Sequence, residues 1–549
     1  MIGQPVEVPP PPMAPQRAST SSGQPPDQSR RRPGWRRLVV VLVPAAVAVA
    51  LCAVDLSGRS IWIDESATLS IASQHGAALW AAMRRDGGNM LAYYALVHLL
   101  FSWFGDGTAV LRAPSVVAAG LTAGAVAALG ARLFRPVVGL AAGLLTAVSV
   151  AYVYWGQNGR AYAFMFAFVA LSYVAFAHLV TGDSRRRPGH ASRLAAIGYS
   201  AALVLALYMS FVAVLVVPAQ LVSLYWYRRR FGLVAACLAV AAVASVPIVL
   251  LAHARGSSQL FWVPRPNLQS ESEVVQAVAG SGLPPVFHNT ASSVPLLVLT
   301  VLGVLAAATA GLRRASRQPL ADGISPARWA GALVAAWLVV PTVLDFAESL
   351  VGQSVFESRY LLMSAPAVAL LLAWGLFESG LAPALAWCGL AGLLVLRGAQ
   401  IVPTYGVSPE DWHAATAYVL ARERPGDCAL FYPSDVRQAF DYYLLHSSAP
   451  RSSWPRPVLP TAPFTEVRPY VEDYATLGGA QLDAVARSCR RVWFVSSHAG
   501  VPNGTPLSRV HYSRYLALVR GLESRYVGHR LVRMSYASQI DIWLFQDRR

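Results

Sequence analysis

Lysine is absent from all 549 residues, and every one of the 45 basic side chains is arginine. Charged residues of both signs make up only 13% of the chain, about half the share of a soluble domain. So few charges cannot cover a water-facing surface. With 55% hydrophobic residues and a mean hydropathy of +0.44, the composition is that of a polytopic α-helical membrane protein. Cysteine is scarce too, and five of them exclude a disulfide scaffold. Cys52, Cys237 and Cys388 fall in apolar runs and read as small buried hydrophobes. Cys428 and Cys489 fall in a polar C-terminal region, where oxidation to a bridge is one of two open states. There is no GxGxxG or GxxxxGK[ST] phosphate loop and no His/Cys/carboxylate spacing of a zinc site. The formal charge of +17 is not a nucleic-acid footprint, because the arginines gather at 30–37, 185–187, 228–230 and 313–317, each beside an apolar run.

What is present is a series of apolar runs whose flanking arginines orient them. Residues 1–36 form a Pro-, Ser- and Arg-rich tail that cannot bury a core and is expected to be disordered in the cytoplasm. Spans are expected over 38–54, 111–131, 137–155, 161–180, 194–209, 211–227, 233–252, 294–312, 329–345, 361–377 and 381–402. That is about eleven, with the N-terminus cytoplasmic, the C-terminus extracytoplasmic and each arginine cluster inside. The apolar stretch 90–104 falls short of the roughly 20 residues a span needs. It reads as an interfacial or re-entrant helix in a first outer loop over 57–110. A second long outer loop covers 253–293. After Pro403 the composition turns soluble, with short strands expected over 428–432, 492–496 and 540–545 and helices over 436–445, 479–489 and 512–525. Residues 403–549 are therefore expected to form an extracytoplasmic α/β domain on a membrane domain covering 37–402.

This topology places an acidic pair, Asp64-Glu65, just beyond the first span. Asp64 there is either a general base or the N-cap of the following helix. On the same side lie Gln157-Asn158-Gly159-Arg160-Ala161-Tyr162, the Phe261-Trp262 pair of the second loop, and Glu357-Ser358-Arg359-Tyr360. Arg160 and Arg359 stand outside against the charge rule. Their guanidinium forks suit a phosphate, with lipid headgroups as the alternative partner. Tyr162 and Tyr360 fit either phosphate binding or interfacial anchoring, and Trp262 either a sugar face or packing.

Ile61-Trp62-Ile63-Asp64-Glu65, the helix opening Asn89-Met90-Leu91-Ala92-Tyr93-Tyr94, Leu111-Arg112-Ala113-Pro114, Gln157 through Tyr162 and Arg359-Tyr360-Leu361 occur in this order. Together they resemble the membrane glycosyltransferases of GT-C fold, in the family 39-like group of protein O-mannosyltransferases and lipid A aminoarabinose transferases. The stretch from Asp411-Trp412 to Tyr442-Tyr443 resembles actinobacterial mannosyltransferase-like members. The resemblance implies inverting transfer of a sugar, mannose foremost, from a polyprenyl-phosphate donor to a glycan, glycolipid or protein acceptor at the outer face of the plasma membrane. It implies Asp64 as base with Glu65 orienting it or holding a divalent metal. Arg160, Arg359, Tyr162 and Tyr360 would then hold the donor phosphate, and Trp262, Gln157 and Tyr93 the substrates. A transporter or flippase is the rival, expected to show helices broken at mid-membrane or inverted repeats. The spans here read as unbroken. A catalytically inactive scaffold of the same fold, or a polymerase or ligase, are further alternatives.

Overall fold

The computed structural model describes residues 34–182, 190–225, 230–256, 260–284, 286–287, 290–317, 326–464, 473–535 and 538–549. Residues 1–33 of the N-terminal tail and the arginines at 185–187 and 228–229 lie outside the described residues.

The chain is a multi-pass helical membrane protein with a small C-terminal sheet. Among the described residues, eight helices are long and apolar enough to cross a bilayer, from Thr108–Leu133 to Pro383–Thr404, and a bent pair brings the total to nine. The expected eleven included two runs that form shorter apolar helices, Leu38–Cys52 and Phe211–Ser223. The second opens as a 3-10 turn over Phe211–Leu215, directly after Ser210 interrupts the preceding helix. Leu91–Phe104, with 14 residues, is an apolar helix too short to span.

The run 137–155 is not the unbroken span expected. Pro136–Ala147 and Val150–Gly156 meet at 63°. A break inside a membrane leaves backbone carbonyls that need a partner. Arg397, 3% exposed on the Pro383–Ile401 helix, donates to Leu145 O at 2.7 Å and to Ala279 O at 2.9 Å. The helices around the break pack closely because of small residues: a Cβ at Gly139 would collide with the backbone of the Thr108–Leu133 helix. Elsewhere large apolar side chains point outward, as with Val240, Val243 and Val249 on one helix and Val298, Leu302 and Leu305 on another. Such faces suit lipid. Cys388 is also exposed, against the expectation that it is buried, while Cys52 and Cys237 are buried.

The C-terminal sheet contains β1 (Cys428–Tyr432), β2 (Arg456–Leu459), β3 (Val492–Ser496), β4 (Tyr526–Ser535) and β5 (Gln539–Arg548), in the order β2-β1-β3-β5-β4. β1 runs parallel to β2 and β3, with Cys428 opposite Val492. β5 runs antiparallel to β3 and β4. The continuously apolar β1 and β3 are buried at every position, as strands covered on both faces are. A disulfide joins Cys428 to Cys489, whose Cα atoms lie 5.8 Å apart. It ties the start of β1 to the end of the Gly479–Ser488 helix.

Candidate active site

Asp64 lies in the first turn of the Ile63–Ala72 helix. It does not cap that helix: Trp62 is the N-cap residue and no side chain of the segment bonds the free N–H groups. The Asp64 carboxylate instead points at two guanidinium groups. Arg359 Nη1 is 3.2 Å from Oδ2, and Arg160 Nε is 3.9 Å from the same oxygen. Arg160 also donates from Nη1 to the Asp64 carbonyl and to Thr68 Oγ1, both at 3.2 Å. Asp64 remains 28% exposed and the two arginines 12%, so the cluster opens to solvent on one side. The Nε atoms of both arginines are buried and have no hydrogen-bond partner.

Aromatic rings wall this cluster. The Arg359 guanidinium lies 4.8 Å from the Trp262 ring centre, 5.5 Å from Tyr360 and 5.8 Å from Tyr162. Tyr162 in turn stands edge-on to Trp155 at 4.7 Å. Trp262 is half-exposed, and its segment is fixed at both ends. Gln353 donates to Leu260 O, and Ser354 to Pro264 O. Phe261 packs on His511 and Tyr474 of the C-terminal region, with ring centres at 5.0 and 5.8 Å, so it serves packing. Six of the nine residues singled out in the sequence thus converge: Asp64, Arg160, Tyr162, Trp262, Arg359 and Tyr360.

The other three do not face the opening. Glu65, one residue from Asp64, points to a different side of the helix and is fully buried. Arg112 grips it with two bonds, Nε to Oε1 at 2.8 Å and Nη2 to Oε2 at 2.7 Å. The Gly159 N–H adds a third at 2.7 Å. Burial raises the Glu65 carboxyl, yet Arg112, Arg59 and the Gly159 N–H together hold it below its ordinary value. Gln157 donates to Val54 O and receives Arg59 Nη2 on its backbone carbonyl at 2.8 Å. Tyr93, fully buried, donates to Leu111 O at 3.2 Å. Glu65 and Gln157 brace the loop that presents Arg160, Tyr93 ties the Leu91–Phe104 helix to the Thr108–Leu133 helix, and none of the three lines the cluster.

No protein-family model and no curated protein matches the sequence. Solved structures do match. The oligosaccharyltransferase of Archaeoglobus fulgidus, tethered with an acceptor peptide, aligns at a TM-score of 0.50 with 13% identity, over 91% of this chain and 73% of that one. The same enzyme in complex with Zn and sulfate aligns at 0.50 with 12% identity, over 90% of this chain and 79% of that one. The fold is GT-C. ArnT from Cupriavidus metallidurans bound to undecaprenyl phosphate overlaps less closely, at a TM-score of 0.41 with 14% identity, over 93% of this chain and 98% of that one.

On this GT-C frame the Asp64 cluster suits an anion better than a cation. Among the described residues, no group of three or more His, Cys, Asp or Glu side chains is placed to hold a metal ion. The carboxylate that sequence would offer as a second ligand, Glu65, is committed to Arg112. Met90 adopts φ 57° before Leu91, a left-handed conformation that proline cannot take. Sequence reading assigned no role to Arg59, Arg112, Glu410 or His498, all of which bond around the Asp64 helix. Arg112 carried a signal, a charge in the first turns of a helix that is apolar from there to Arg132 in its last turn. Glu410 and His498 carried none, because the bonds that join them to each other and to the Asp64 helix span 88 and 347 residues of sequence.

Proposed function

We propose that this chain is a membrane glycosyltransferase acting at the extracytoplasmic face, moving a sugar from a polyprenyl-phosphate donor to an acceptor hydroxyl. The observation that carries this reading is Asp64 held between Arg160 and Arg359 at an open, aromatic-walled face of a GT-C frame. The donor phosphate would take Arg359 and Arg160 as bidentate partners, drawing them from the Asp64 carboxylate. Asp64 would then accept the acceptor's hydroxyl proton as the acceptor oxygen bonds to the anomeric carbon. The bond from that carbon to the phosphate oxygen breaks, and the polyprenyl phosphate leaves with its charge facing the two guanidiniums. One displacement inverts the anomeric centre. Trp262 and Tyr360 would flank the sugar.

The outer-face orientation is supported by the positions of the remaining arginines. Arg112 opens the Thr108–Leu133 helix near Asp64, and Arg132 closes it about 30 Å away along the axis. Arg132, Arg135 and Arg230 then belong to the cytoplasmic side under the positive-inside rule. Mannose is the first sugar to test, on the resemblance of the 411–443 stretch, with glycan, glycolipid and protein as acceptor classes. A transporter would use a broken helix as a substrate site; here Arg397 fills the break between Pro136–Ala147 and Val150–Gly156.

The test uses membranes holding equal amounts of wild type, Asp64→Asn and Arg359→Ala, given radiolabelled polyprenyl-phospho-mannose, with label followed into lipid, glycan and protein. Removing the base is expected to cost about 10²–10⁴-fold in rate, and removing the phosphate donor about 10²–10³-fold. Transfer that survives Asp64→Asn would refute the mechanism.

A further inference from the structure

A helix begins with N–H groups that have no partner within it, and a side chain at its N-cap ordinarily takes one of them. The helix carrying Asp64 has no such side chain. Its Ile63 N–H donates to Glu410 Oε2 at 3.1 Å, across 347 residues of sequence. Glu410 is fully buried. The same carboxylate accepts the Trp412 indole N–H and pairs with His498 Nε2. His498 follows β3 and holds a backbone φ of 53°, an uncommon conformation for a non-glycine residue. The turn leading into the helix is held from the same side. Ile61 N–H donates to Tyr443 Oη at 2.7 Å, and Tyr443 donates to Ser60 Oγ at 3.3 Å. The His413 N–H reaches Ser60 Oγ at 3.1 Å, and Ser408 Oγ reaches Ser60 O at 3.0 Å. A buried carboxylate beside a helix N-terminus is favoured by the positive end of the dipole, and His498 supplies the counter-charge a buried anion needs.

We propose that Glu410, buttressed by Trp412 and His498, is a positioning residue for Asp64. Through a cap supplied from the C-terminal region, it sets where the carboxylate stands relative to Arg160 and Arg359. This rests on the reading of Asp64 as the base, and it makes the region after Pro403 a support of the reaction centre. Losing the cap frees the first turn, in which Asp64 is the residue after Ile63. A displacement of about 1 Å at a reacting group costs about 100-fold in rate.

Two readouts test it on the full-length protein in nanodiscs. Hydrogen exchange of the peptide covering 61–69, without substrate, is expected to quicken about fivefold in Glu410→Ala and to stay unchanged in Asp483→Ala, an exposed ion-pair residue of the same region. With radiolabelled polyprenyl-phospho-mannose, Glu410→Ala is expected to lose about 100-fold in kcat with donor KM held within about twofold. Glu410→Gln, which keeps an acceptor oxygen for the Ile63 N–H, should recover most of that loss. Unchanged exchange in Glu410→Ala, or faster exchange with unchanged kcat, would overturn the proposal. A wild type inert towards the donor, with exchange quickened in Glu410→Ala, would count against the transfer reading and in favour of the cap.

Discussion

Replacing Glu65 by glutamine should unfold the protein more readily without acting at the Asp64 cluster. Glu65 and Arg112 are 0% and 1% exposed and share two hydrogen bonds. Arg112 spends its remaining donors on the Leu56 and Arg59 carbonyls at 2.7 and 2.9 Å and on Ser60 O at 3.3 Å. With Glu65 neutral, Arg112 and the buried Arg59 face each other without a counter-ion. Breaking a buried pair from one side costs about 3–5 kcal/mol, because the partner charge stays behind. Glu65→Leu would also strip the Gly159 N–H of its acceptor, for about 1–3 kcal/mol more. Removing both charges, as in Glu65→Leu with Arg112→Met, should recover part of the loss: apolar replacement of a whole buried pair is often neutral, but the Gly159 N–H and the Leu56 and Arg59 carbonyls then lose their partners. The assay is denaturant unfolding in detergent of wild type, both single variants and the double variant, read as a mutant cycle. The expected coupling is about 2 kcal/mol or more. Single losses below about 1 kcal/mol that simply add would refute the pairing argument. A Glu65→Gln protein of wild-type stability and no transfer would show that Glu65 faces substrate after all.

Alkaline pH should loosen the C-terminal region. Burial lowers the His498 imidazolium, but Glu410, with Asp435 and Asp64 beyond it, outweighs that and pushes it up to about 9. Since this lies above the ordinary value of about 6.5, the stabilisation is complete below that value and is lost as pH rises through about 9. Proteolysis of the 403–549 region should therefore speed up between about pH 7 and 10; an identical profile in His498→Gln would assign the effect elsewhere. Cys428→Ser with Cys489→Ser releases a loop spanning 61 residues, and about 4 kcal/mol of stability should go with it, read by denaturant unfolding. Arg397→Leu strips the Leu145 carbonyl of its donor and leaves the Ala279 carbonyl the longer bond from Thr300 Oγ1 at 3.4 Å; a loss of about 1–3 kcal/mol is expected, and thermal unfolding in detergent should show it.

Much of the frame was legible because a membrane imposes simple rules. Apolar length and arginine position were enough to place the long helices and the short Leu91–Phe104 helix. The break between Ala147 and Val150 was not legible, because the side chain that makes it tolerable, Arg397, comes from another helix. In the C-terminal region β1 and β3 show themselves as buried apolar runs. β4 mixes His529, Arg530 and Arg533 with apolar residues in no regular alternation and becomes a strand through its ladder to β5, while β2 is a four-residue edge containing Pro457. At the site, Asp64, Arg160 and Arg359 stood out as charges at the ends of apolar runs. Glu65 looked equivalent to Asp64 in sequence. The helical turn of roughly 100° between neighbours sends one carboxylate to the opening and the other to Arg112.

The bonds that hold the start of the Asp64 helix also bear on when the molecule becomes competent during its manufacture. Translation proceeds from the amino end, so the spans can enter the bilayer while the residues that complete this helix are still unmade. Ile61 and Ile63 wait for partners that lie 382 and 347 positions downstream, and His498 arrives later still. A chain halted by the ribosome before that point would be an inserted membrane protein whose Asp64 helix still lacks the bonds that hold its first turn.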